Sequence, residues 1–281
     1  MEVEKKAPGG REAGAGKENT GGKKQHGAPQ KLPQPKESSI KHTVAVMSGK
    51  GGVGKSTVTA LVAAQLAKKL KSVGILDADI TGPSIPKLFG IKEQPVSLPM
   101  GIVPPKSRLG IRIMSLNLLL PHEDDPVVWR GPLIASAVKQ FWTDVIWGDL
   151  DYLVVDLPPG TGDAPLTVLQ SLPLDGLIVV SSPQELAVMV VKKAIKMAEM
   201  LNVPILGLIE NMSYLTCPRC GEKIELFGPS RAGKIAEEKG IKFLGSLPID
   251  PQLAELGDKG EIEKYQAELL GDIEKTLEPL N

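Results

Sequence analysis

Two short stretches of this chain combine residue types and spacings that do chemistry. The first is Ser48-Gly49-Lys50-Gly51-Gly52-Val53-Gly54-Lys55-Ser56-Thr57, which satisfies G-x-x-x-x-G-K-[ST]. Its glycines let backbone N–H groups wrap around phosphate oxygens, and a helix opening at its end adds a positive pole. Gly49 to Thr57 is therefore a candidate nucleotide site, with Lys55 reaching the β- and γ-phosphates and Ser56 holding Mg²⁺. Lys50 is not needed to shape such a loop. A cation there suits the nucleotide of a partner subunit, acting on developing phosphate charge as an arginine finger does.

The second stretch is Cys217-Pro218-Arg219-Cys220-Gly221, a compact turn that points two sulfurs at one metal. A closed tetrahedral site needs four ligands, and the chain has only these two cysteines. Half a site implies a dimer, in which a two-fold axis brings four thiolates to one [4Fe–4S] cluster. A bridging Zn²⁺ and a dithiol redox pair are the alternatives. The flanks TCPRCGEKIELFG read as a knuckle or short hairpin rather than as the helix opening of a redox motif. His26, His42 and His122 have no metal-type spacing.

Phosphoryl transfer also needs carboxylates near the metal and an oriented water. Asp156 ends the apolar run YLVVD and is expected to meet Mg²⁺ through a water. Asp77 and Asp79 follow another such run, and Asp79 is expected to orient the attacking water. The segment Pro158-Pro159-Gly160-Thr161-Gly162-Asp163 suits a switch whose glycine N–H senses a γ-phosphate.

These residues need a scaffold, and the sequence supplies one. The runs 43–47, 73–77, 152–156, 176–181 and 204–210 are nearly continuous apolar stretches, as buried parallel strands are, with 111–116 as a further candidate. Helical periodicity occupies 55–70, 163–172 and 185–201, and helices are expected near 131–147, 230–239 and 261–277. Strand alternating with helix predicts an α/β fold, a mostly parallel sheet flanked by helices. Residues 1–40 are rich in Gly, Pro, Lys, Glu and Gln and contain no aromatic residue, so they read as a disordered polar tail. One domain is expected from 41 to 281, with the CxxC motif embedded at 213–226.

The 281 residues carry 33 basic and 33 acidic side chains, so no overall field favours nucleic acid or a membrane. No run of about 18 apolar residues could span a bilayer, and the first residues lack the apolar core of a signal peptide. The expected location is the cytoplasm.

GKGGVGKST resembles the deviant Walker A loop of the MinD/ParA/nitrogenase-iron-protein group of dimerising P-loop ATPases. DADITGPSIP (77–86), WRGP (129–132), DLPPGTGD (156–163) and ENMSYLTCPRCG (210–221) resemble the Mrp/ApbC branch, whose members are iron–sulfur cluster carriers. The likeness runs from about residue 42 to the C-terminus. It implies ATP and Mg²⁺ as ligands, a homodimer, a bridging [4Fe–4S] cluster in preference to zinc, and apo-proteins as recipients. It also implies that Asp77 supports the metal shell and that Asn211 contacts adenine.

The chain departs from relatives with a cysteine-rich N-terminal cluster site, since its own first 40 residues contain no cysteine. A MinD-like positioning ATPase would need a basic C-terminal helix for lipid, whereas 261–281 carries six acids against Lys264 and Lys275. A ParA-like partition protein would need a basic surface, which a neutral body does not suggest. A MinD/ParA-like ATPase with structural zinc at its dimer interface is the rival reading.

Overall fold

The computed structural model describes residues 37–79, 82, 84–120, 131–266 and 273–277. Seven strands form one sheet in the order β11-β8-β7-β1-β6-β2-β5, and every pairing in it is parallel. The strands are β1 (Ser38–Ser48), β2 (Val73–Asp77), β5 (Arg112–Ser115), β6 (Gly148–Asp156), β7 (Gly176–Ser181), β8 (Ile205–Glu210) and β11 (Phe243–Ser246). Two antiparallel hairpins stand apart: β3 (Val96–Leu98) with β4 (Gly101–Val103), and β9 (Leu215–Thr216) with β10 (Lys223–Ile224).

The apolar runs are continuous because both faces are covered. Along β1, Ala45 and Met47 enter one core cluster while Val44 and Val46 enter the other. Leu153 and Val155 of β6 likewise oppose Tyr152 and Val154. The first face is closed by α3 (Gly131–Thr143), α4 (Asp163–Ser171), α5 (Glu185–Met200) and α6 (Ala232–Lys239). The second is closed by α1 (Lys55–Lys68), α2 (Ile85–Leu88), α7 (Pro251–Asp258) and α8 (Ile273–Leu277). Loops bearing the chemistry leave the carboxyl ends of β1, β2, β6 and β8, the edge where parallel sheets bind ligands.

All six expected strands are present. β1 starts at Ser38, reaching three residues into the stretch read as tail, because it pairs with β6 from Ser38↔Gly148 onward. The Trp147 N–H also donates to Ser38 Oγ at 2.9 Å. Residues 1–36 of that expected tail lie outside the described residues. The expected helix 131–147 ends at Thr143, and the chain beyond it sinks into the core with Val145 and Trp147 fully buried. The expected helix 261–277 is a correction. A 3₁₀ turn covers Ile262–Lys264 at the expected start of the helix, α8 covers Ile273–Leu277, and 267–272 lie outside the described residues. Tertiary bonds override the periodicity: buried Glu263 accepts from Ser107 Oγ at 2.5 Å, and Tyr265 Oη donates to Asp250 at 2.8 Å.

The hairpin β3–β4, the edge strand β11 and the helices α2 and α7 were not foreseen. β11 is short, contains Gly245 and has an irregular register against β8, so its pattern is weak. α7 did leave a signal, Asp250-Pro251: Asp250 Oδ1 caps it by accepting from the Gln252 N–H at 2.8 Å, with proline at the first position. Among the described residues, no helix is long and apolar enough to cross a membrane.

Candidate functional site

β1 delivers the phosphate-type loop at the centre of the sheet, and α1 begins at Lys55. Gly54, just before it, is left-handed at φ 77°, and a Cβ there would collide with the side-chain amide of Asn211. Only glycine satisfies both constraints. No acidic residue occupies the first turn of α1, so the carboxylates at its positive end come from other strands and loops.

Lys55 is 5% exposed, and its Nζ lies 2.8 Å from Asp156 Oδ2 and 3.3 Å from Asp79 Oδ2. Ser56 Oγ donates to Asp156 Oδ2 at 2.5 Å, and Thr59 Oγ1 donates to Asp156 Oδ1 at 2.7 Å. Thr59 is a residue that motif reading missed, although it lies three positions beyond Ser56 on the same helix face. Ser56 hydroxyl beside the Asp156 carboxylate is an all-oxygen donor pair, which suits a hard divalent cation that also takes phosphate oxygens and waters. Among the described residues, no group of three or more His, Cys, Asp or Glu side chains is placed to hold a metal alone.

Asp77 is fully buried at the end of β2. Its Oδ1 accepts the Asp79 N–H at 3.1 Å, and its Oδ2 accepts from Ser115 Oγ at 3.0 Å. Burial, and then the nearby charge of Asp156, push its carboxyl well above the usual range, against the pull of Lys55, Ser115 and the Asp79 N–H. Asp77 thus fixes the backbone from which Asp79 reaches Lys55. Ile80, Thr81 and Pro83 of the same motif, and Trp129 and Arg130 of WRGP, lie outside the described residues.

Two cavities open here. One of about 240 Å³ is lined by the loop, with Asp79 and Pro159. A second of about 590 Å³ adjoins it and is lined by Asn211, Met212, Phe227, Ile249 and Leu253 among others. Gly54, Thr57 and Ser84 belong to both, so they join end to end, a phosphate-sized chamber beside an apolar one. Asn211 borders the second chamber, and its Nδ2 also donates to the Val53 carbonyl at 2.9 Å, clamping the loop.

Lys50, expected to serve a partner's nucleotide, and Gly160, in the expected switch segment, both make contacts within the chain. Lys50 Nζ donates to Gln184 Oε1 just ahead of α5. The Gly160 N–H donates to the Ser48 carbonyl at 2.9 Å, so it ties the 158–163 segment to the loop instead of facing a phosphate.

Cys217 and Cys220 sit in the β9–β10 hairpin, neither in a disulfide, with Cys217 half-buried and Cys220 exposed. The Cys217 N–H donates to the Glu222 carbonyl at 2.8 Å, and the Gly221 N–H to the Cys217 carbonyl at 2.9 Å. Gly221, at φ 74°, completes the knuckle. Hydrogen bonds from the backbone N–H groups of Cys220 and then Arg219, with a further one from the Cys220 side chain, hold the Cys217 thiol below its ordinary pKa. A thiolate with N–H donors aimed at it is prepared for a metal.

A central parallel strand ending in this loop, with Asp156 on the next strand beneath it, makes the protein a P-loop NTPase of the MinD/ParA type. Residues 39–278 match the family model for ParA, the NUBPL iron-transfer P-loop NTPases, and the chain belongs to that family. It is 52% identical over 225 residues to the iron-sulfur cluster carrier protein of Methanocaldococcus jannaschii, covering 79% of this chain and 78% of the relative. The iron-sulfur cluster carrier protein of Clostridium perfringens is 47% identical, covering 82% and 84%. A nucleotide-binding protein of Archaeoglobus fulgidus, solved in complex with ADP and with cobalt found by PIXE, is 49% identical. It aligns at a TM-score of 0.76, covering 83% and 92%. MinD of Aquifex aeolicus, in complex with MinC, is 22% identical with a TM-score of 0.61 and shares the fold.

Proposed function

We propose that this chain is a cytoplasmic, homodimeric ATPase that carries a [4Fe–4S] cluster between its two subunits and passes it to apo-proteins. One observation carries the reading: a loop, lysine and carboxylate cluster assembled within one chain stands in the same fold as a pair of free cysteines, which can supply only two of the four ligands a closed site requires. Curated relatives at 52% and 47% identity are named iron-sulfur cluster carriers, which favours a cluster over zinc as the cargo.

In this reading Lys55 and the loop amides from Gly49 to Thr57 hold the phosphates, Ser56 and Asp156 hold Mg²⁺, and Asp77 steadies Asp79. Asp79 orients the attacking water, and Asn211 edges the base. Lys50 leaves Gln184 and crosses the dimer to the partner's nucleotide. Exchange of ATP for ADP alters the dimer interface and so the exposure of the cluster.

The test is transfer. Protein reconstituted anaerobically should activate an apo-[4Fe–4S] enzyme, and ATP with Mg²⁺ should change the rate. Retention of iron in the presence of excess apo-enzyme, with or without nucleotide, would contradict the carrier role.

A further inference from the structure

Residues 211–231 leave the sheet at the end of β8 and return at the start of α6, carrying both cysteines. One side chain holds both ends of this excursion. The Glu210 carboxylate, 1% exposed, accepts from Ser213 Oγ at 2.6 Å and from the N–H groups of Arg231 and Ala232 at 3.4 and 3.3 Å. The excursion is thereby anchored on the strand whose next residue, Asn211, clamps the phosphate loop.

Between these anchors the β9–β10 ladder pairs Thr216 with Lys223 and Leu215 with Ile224. Directly after it, the Gly228 N–H closes a turn on the Glu225 carbonyl at 3.1 Å, with Gly228 at φ 84°. That turn sets Phe227 in the wall of the 590 Å³ chamber, beside Asn211 and Met212, while the residue remains 43% exposed. A partly exposed phenyl ring at the edge of an apolar chamber with room for a base is a stacking platform, since every purine presents a π-face.

We propose that Phe227 is the base-stacking residue of the nucleotide site, making the cysteine excursion a wall of that site, so that a purine against its ring changes the exposure of Cys217 and Cys220. The inference rests on the reading of the joined cavities as an ATP site and adds a base-holding residue and a route. The route is short: Phe227 follows β10, β10 is hydrogen-bonded to β9, and Thr216 of β9 precedes Cys217. Because Glu210 fixes both ends, displacement at Phe227 is taken up by the hairpin between them.

The experiment uses the full-length, reduced, metal-free protein. Calorimetry gives the affinity for MgADP and for magnesium pyrophosphate, which has phosphates but no base, and mass spectrometry follows alkylation of Cys217 and Cys220 with and without saturating MgADP. Phe227→Ala should weaken MgADP about tenfold, the loss expected for one stacked base, and leave pyrophosphate unchanged. It should also remove the several-fold effect of MgADP on alkylation that the wild type shows, and Phe227→Trp should restore both. Leu226→Ala, at a neighbouring site 55% exposed, should change neither. Wild-type MgADP affinity in Phe227→Ala, or an undiminished effect of MgADP on its alkylation, would overturn the proposal, as would wild-type alkylation that ignores MgADP. Failure of the wild-type chain to bind MgADP would instead remove the ATP-site reading on which the proposal stands.

Discussion

Lys55 and Asp156 are 5% and 0% exposed and paired at 2.8 Å, whereas Cys220 is exposed and Cys217 half-buried, both with free thiols. The lysine and its two carboxylates are held by the sheet, inside one chain. The cysteines are held by a two-rung hairpin. Phosphate chemistry needs groups fixed and shielded from water, which a core provides. A cargo that must be released needs ligands at a surface, and sharing them between two copies makes release a matter of how the copies meet.

The largest effect that would sharpen this contrast is expected from Lys55→Ala. It should lower nucleotide affinity about 100-fold or more and destabilise the fold by about 3 kcal/mol, because it leaves Asp156 and Asp79 buried without their cation. Calorimetry with MgADP and denaturant melts check both, and a stable variant with intact ADP binding would break the contrast. Next, Cys217→Ser or Cys220→Ser should abolish iron binding, yet leave MgADP affinity within about twofold and stability within about 0.5 kcal/mol, as exposed sites do. A large loss of stability would show that the hairpin is structural.

The two regions were also unequally legible in the sequence. Lys55, Ser56, Asp156, Cys217 and Cys220 were readable because each chemistry demands a residue type at a fixed spacing, and the alternating runs located the strands that hold them. Thr59, Ser115 and Glu210 were not readable. Ser115 meets Asp77 because β5 pairs with β2, and no local pattern records that pairing, while Glu210 acts through the loop and helix start that follow its strand. Phe227 and Met212 share a chamber with Ile249 across a similar gap in sequence. The 158–163 segment reads as a switch whose glycine N–H senses a phosphate, and of its two glycines Gly160 gives its N–H to the Ser48 carbonyl.

A smaller effect separates the subunits. Lys50→Ala removes an exposed contact to Gln184, so MgADP affinity of the monomer should stay within about threefold, while ATP turnover falls at least tenfold if the side chain serves the partner's nucleotide. Unchanged turnover would confine Lys50 to its own chain. The smallest effect is a pH profile. Because N–H donors lower the Cys217 pKa, its alkylation in metal-free protein should begin at lower pH than that of an ordinary thiol. A midpoint at the ordinary thiol value would mean that the hairpin does not prepare the site.

The central claim is that two chains share one cluster, and native mass spectrometry of anaerobically reconstituted protein, with iron and sulfide analysis, tests it most directly. The account predicts a dimer with four iron and four sulfide per two chains, reverting to metal-free monomer on chelation. Four iron on a single chain, or a dimer holding zinc after strictly anaerobic preparation, would contradict it.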